Sequence, residues 1–85
     1  MISFEFTVTD PVGIHARPAG LLVKEAKKYG DEIIIRKDDK SAKAKALIAL
    51  MGLGVKQGET VTVEITGPDE AATAEAIRAY LKENL

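Results

Sequence analysis

Gly13-Ile14-His15-Ala16-Arg17-Pro18-Ala19 marks a change from one hydrophobic period to another. Upstream, Ile2, Phe4, Phe6 and Val8 alternate with Ser3, Glu5 and Thr7, the pattern of a strand with one buried face. Downstream, Ala19, Leu22, Ala26 and Tyr29 follow helical spacing, and Val23 fills the same stripe. This predicts a helix over 16–29 with Gly30 as its C-cap. Lys24, Lys27 and Lys28 lie off the stripe, in turns where cations suit the helix dipole. Pro18 suits the first turn, where an N–H would have no partner anyway, but it disfavours helical dihedrals at Arg17.

The rest of the chain extends this strand-to-helix unit. Glu32 to Lys37 is β-branched through Ile33, Ile34 and Ile35, and Asp38-Asp39 reads as a turn. Lys40 to Lys45 begins as an edge strand, with Lys37, Lys40 and Lys43 read as edge-strand lysines that discourage unwanted pairing. Ala46 to Met51 is a short apolar helix closed by Gly52 and Gly54. Lys56 to Glu59 is a turn, and Thr60 to Thr66 alternates again. Gly67-Pro68-Asp69-Glu70 opens a last helix, with Pro68 at the first helical position and Ala74, Ile77 and Leu81 facing inward. The order β-α-β-β-α-β-α predicts an α+β fold, an open-faced two-layer β-sandwich. Its four-stranded antiparallel sheet would carry three helices on one face.

Composition narrows the function classes. Eighty-five residues suffice for a single domain over 1–85 with one small core. The net charge of −1 argues against nucleic acid as a partner, as does the lack of an aromatic stacking platform on the strands. No apolar run has the length of a signal sequence or a membrane span, so no membrane insertion is expected. There is no cysteine and only one histidine, so no metal site is expected.

That histidine stands where a helix begins. A first helical turn leaves backbone N–H groups without intrahelical partners, and the dipole favours negative charge there. A phosphoryl group on His15 could reach the N–H groups of Ala16 and Arg17. The Arg17 guanidinium could add a charge-assisted hydrogen bond worth about 1.5–3 kcal/mol. A hydrolase would need a base, an orienting acid and a nucleophile in reach; Asp10 is the one acid near His15 in sequence, which leaves that class unsupported.

The same stretch resembles the phosphorylation-site signature of the histidine-containing phosphocarrier (HPr) family of the bacterial phosphoenolpyruvate-dependent sugar phosphotransferase system. Ala46-Leu47-Ile48-Ala49-Leu50-Met51-Gly52-Leu53-Gly54-Val55 resembles that family's short second helix and the glycine-containing segment after it. Length and element order match from end to end. The resemblance implies that His15 accepts a phosphoryl group from phospho-enzyme I, on Nδ1 in the family, and passes it to sugar-specific enzyme IIA domains. Arg17 would steady the group in transfer. The resemblance also implies a cytoplasmic carrier rather than an independent enzyme, without cofactor and acting as a monomer. Gly20, Leu47, Ile48 and Met51 fall at the family's apolar docking surface. Lys24, Lys27 and Lys45 fall where some members carry basic residues facing acidic partners. Where many members have a serine phosphorylated by a dedicated kinase, this chain has Ala46, so that regulation is expected to be absent.

Plainer roles compete with these. A lone loop histidine is usually a surface or capping residue. Leu50 and Leu53 are assigned to the core, and a helix this short leaves one or two of Leu47, Ile48 and Met51 exposed. A regulatory module of the same fold, serving nitrogen-related phosphotransfer, is the alternative function.

Overall fold

The computed structural model describes residues 1–85. The elements are β1 (Ile2–Thr7), α1 (Ala16–Ala26), β2 (Glu32–Lys37), β3 (Lys40–Lys43), α2 (Leu47–Gly52), β4 (Thr60–Thr66) and α3 (Glu70–Asn84). The strands form one antiparallel sheet in the order β1-β4-β2-β3. The predicted architecture is the observed one.

Register explains why one face is buried. Phe4 pairs with Val63, Val63 with Ile35, and Ile35 with Ala42, so one apolar row crosses all four strands. Ile2, Ile65 and Ile33 form a parallel row. On the opposite face, Glu5, Thr62, Arg36 and Ser41 line up. The period of two thus sorts apolar from polar side chains in register across the sheet. All three helices contribute to the same core, α1 through Ala19, Leu22 and Ala26, α2 through Leu50, and α3 through Ala74, Ile77 and Leu81. Arg78 of α3 lies over the Phe4 ring, 4.8 Å from its centroid.

The end of α1 and the start of α3 differ from expectation. Helix α1 stops at Ala26 rather than Tyr29. Lys28 and Tyr29 N–H groups bond back three residues, to Glu25 and Ala26 carbonyls, so the last turn tightens. Gly30 is not a left-handed C-cap. Instead Lys45 Nζ donates to the Tyr29 carbonyl at 2.9 Å, a side chain doing the work expected of a glycine. Pro68 precedes α3 instead of opening it, and Asp69 is the N-cap. The cause is Asp31, which is only 2% exposed. Its Oδ2 accepts the Asp69 N–H at 3.1 Å and its Oδ1 accepts the Thr73 hydroxyl at 3.2 Å. Gly67 allows this approach, since a Cβ there would stand 2.6 Å from Asp31 Oδ2.

Lys37 corrects one of the lysine assignments. It ends a central strand rather than an edge, and its Nζ binds the Gly54 carbonyl at 3.1 Å and Glu59 at 3.0 Å.

Candidate functional site

The chain between β1 and α1 is held by its own polar groups. Asp10 Oδ1 accepts the Val12 N–H at 2.9 Å, and the Asp10 carbonyl accepts the Gly13 N–H at 3.0 Å, a turn built by an aspartate side chain. Gly13 has φ +78°, and a Cβ there would collide with the Val55 carbonyl and lie 2.8 Å from Lys56 Cα. Both conformation and space therefore require glycine. Ile14 is buried, and its N–H donates to the Val55 carbonyl at 2.9 Å. These contacts place the next residue, His15.

His15 is the N-cap of α1, with extended backbone at φ −108° and ψ −171°. Its carbonyl accepts the Ala19 N–H at 2.9 Å. Its half-buried side chain makes no capping bond. The Ala16 and Arg17 N–H groups have no partner in the fold, Pro18 has no N–H, and no acid stands in the first turn. Arg17 is helical despite the following proline. Pro18 is buried, and the carbonyl four residues before it, that of Ile14, lies outside the helix, so its ring meets no helical carbonyl. His15 and Arg17 line one open depression with Asp10, Pro11, Val12 and Leu21. The result is an imidazole beside two free N–H donors and a guanidinium, suited to a tetrahedral anion.

The other predicted residues fall into two groups. Arg17, Gly20, Lys24 and Lys27 recur every three or four residues, which puts them on the solvent stripe of α1, opposite Ala19, Leu22 and Ala26. Lys24 and Lys27 form no ion pair, whereas Lys28 is paired with Glu25 at 2.9 Å. Hydrogen bonding to Lys28 holds the Glu25 carboxyl below its ordinary pKa. A Cβ at Gly20 would meet nothing within 4 Å, so packing does not demand glycine there. Helix α2 packs beside α1 and exposes all three of Leu47, Ile48 and Met51, with Ile48 at 80%. Leu50 and Leu53 are buried as assigned. Lys45 differs from Lys24 and Lys27, because its ammonium is already engaged by Tyr29. Three exposed apolar side chains went unassigned in the sequence, Met1 at 70%, Val12 at 65% and Leu21 at 48%. Leu21 could have been found, since it falls between Arg17 and Lys24 on the polar side of the helical wheel.

Fold and site define a class of small α+β protein with a histidine at the start of its first helix. Comparison with known proteins identifies it further. A family model described as the PTS HPr component phosphorylation site matches residues 2–83. The phosphocarrier protein HPr of Lysinibacillus sphaericus is 43% identical over 79 residues, 93% of this chain and 90% of that protein. The crystal structure of HPr-C-His from Thermoanaerobacter tengcongensis superposes with a TM-score of 0.92 at 33% identity, covering 99% of this chain and 94% of that one. A structure described as an HPr dimer from the same organism has a TM-score of 0.75 at 35% identity, covering 92% and 90%. The chain belongs to the HPr family, and its role is that of a phosphoryl carrier of the phosphotransferase system. The dimeric relative shows that this fold is compatible with pairing. No helix is long and apolar enough to cross a membrane.

Proposed function

We propose that His15 is the phosphoacceptor, taking its phosphoryl group from phospho-enzyme I and giving it to enzyme IIA domains. A ring nitrogen of His15 attacks the phosphorus as the P–N bond of the donor phosphohistidine breaks, and one P–N bond replaces another. The second transfer repeats the exchange with His15 as leaving group. The transition state is loose and its charge is spread over the phosphoryl oxygens, so the carrier's task is positioning and charge stabilisation. Arg17 and the N–H groups of Ala16 and Arg17 supply that. A few donors suit a carrier better than a deep anion site, because over-stabilising the phosphorylated state would stop the second transfer.

The observation that carries this is the unused helix start: His15 occupies the N-cap without capping, beside two unpartnered N–H groups. The docking face supports it. Leu47, Ile48 and Met51 supply exposed apolar area next to α1, where Gly20, Lys24 and Lys27 face solvent. Lys24 and Lys27 would steer an acidic partner, and Lys45 would add charge while it stays bound to Tyr29. His15, Arg17 and this face all lie on one chain, which supports a monomer as the working unit, and the family's carrier role supports a cytoplasmic location.

The test is intact-mass spectrometry at alkaline pH after incubation with enzyme I and phosphoenolpyruvate. One acid-labile phosphoryl addition is expected on the wild type and none on His15→Ala. An unmodified wild type, with enzyme I competent toward a control carrier, would overturn the reading.

A further inference from the structure

The His15 loop lies on a second loop, residues 54–59. The Val8 N–H donates to the Glu59 carbonyl at 3.0 Å and the Val8 carbonyl accepts the Gly58 N–H at 2.8 Å. Gln57 Nε2 donates to the Thr9 carbonyl at 3.2 Å, and the Val55 carbonyl holds Ile14. Gly54 at φ +62° and Gly58 at φ +86° turn this second loop near its two ends. One side chain fastens it from the far side. Lys37 places Nζ 3.1 Å from the Gly54 carbonyl and 3.0 Å from Glu59 Oε1, and that same oxygen accepts the Lys56 N–H at 2.7 Å. The Lys37 side chain is 17% exposed, so this ammonium is less screened than a surface lysine. It ties the first residue of the loop to the last.

We propose that Lys37 and Glu59 form a clamp that sets the Val55 carbonyl and, through Gly13 and Ile14, the His15 ring, making both positioning residues for phosphoryl transfer. The inference rests on the carrier reading above. Its physical basis is the fit at Gly13. The backbone there runs too close to the Val55 carbonyl for any Cβ, and the Ile14 N–H is bonded to that carbonyl at 2.9 Å, so a displaced carbonyl carries with it the residue next to His15. Transfer between two histidines needs in-line geometry, where misplacement by an ångström can lower a rate by about a hundredfold.

Lys37→Met removes the ammonium but keeps the stem, and Lys37→Arg keeps a cation. Lys40→Met removes an unpartnered charge on β3 and controls for net charge. Each is compared for phosphoryl acceptance at saturating phospho-enzyme I, and for the NMR signals of the Ile14 amide and the His15 ring. In Lys37→Met the saturating rate is expected to fall about three- to tenfold with KM unchanged, and both signals to shift. Lys37→Arg should restore them, and Lys40→Met should move neither. If Lys37→Met does not fold, Glu59→Gln takes its place. A wild-type saturating rate in Lys37→Met overturns the clamp, whether or not the signals shift. A wild type that accepts no phosphoryl group at all sinks the carrier reading. The clamp's structural half is then judged by the signals alone: a shift reversed by Lys37→Arg supports it, and unmoved signals overturn it.

Discussion

Helices α1 and α3 both begin just after a strand and a turn, yet the protein treats their N-termini in opposite ways. At α3, Asp31, Asp69 and Glu70 surround the positive end of the dipole. Asp31 reaches across from the start of β2 and is buried doing so, and Glu70 accepts the Gly67 N–H at 3.2 Å. At α1 there is no acid in the first turn and no cap from the N-cap side chain, and an arginine adds positive charge. One helix start is answered by the fold's own carboxylates. The other has no carboxylate in its first turn, and the carrier reading proposed above gives it a ligand that brings its own negative charge. Neither N-cap side chain makes a capping bond, so the contrast is one of charge: an acid near a helix N-terminus is worth about 0.3–1 kcal/mol, which α3 has and α1 forgoes.

Four experiments bear on this contrast. Arg17→Ala removes the charge-assisted donor from the open end, and the rate of phosphoryl transfer should fall about ten- to a hundredfold in rapid-quench assays while urea denaturation is unchanged. Asp31→Ala should do the reverse. It strands the Asp69 N–H and the Thr73 hydroxyl, so unfolding stability should drop by about 2 kcal/mol with transfer at His15 intact. His15→Asp supplies the missing cap. It should raise stability by about 1 kcal/mol in the same denaturation assay; a loss of stability would mean that α1 is not an uncapped helix in solution.

The smallest effect concerns acid. The Gly67 N–H first, and the amino terminus second, hold the Glu70 carboxyl below its ordinary value of 4.5. A depressed folded-state pKa gives stabilisation that is complete above the unfolded value and lost as pH falls through the folded one. Urea midpoints should therefore decline below about pH 4.5, and less steeply in Glu70→Gln than in the wild type.

All seven elements were legible from periodicity and turn or capping residues, and His15 stood out because a single histidine fell where the period changed. What escaped depends on partners distant in sequence. Asp31 looks like any loop acid until the sheet brings it under α3, 38 residues before Asp69. Lys37 reads as a strand lysine until the chain returns with Gly54 and Glu59. The lower end of α1 was placed too late because the chain after Ala26 tightens into three-residue bonds at Lys28 and Tyr29, which the apolar stripe does not reveal. Exposure of Leu47, Ile48 and Met51 together was understated, since a six-residue helix with one buried leucine shows more apolar surface than composition suggests.

The most direct test of the central claim is a ¹H–¹⁵N correlation spectrum of the protein before and after phosphorylation. The Ala16 and Arg17 amides should move downfield more than any others as they bond the phosphoryl oxygens, while Glu70, Ala71 and Ala72 at the start of α3 stay in place. Unmoved Ala16 and Arg17 amides in a protein phosphorylated on His15 would contradict the account, because the open end of α1 would then not be what receives the charge.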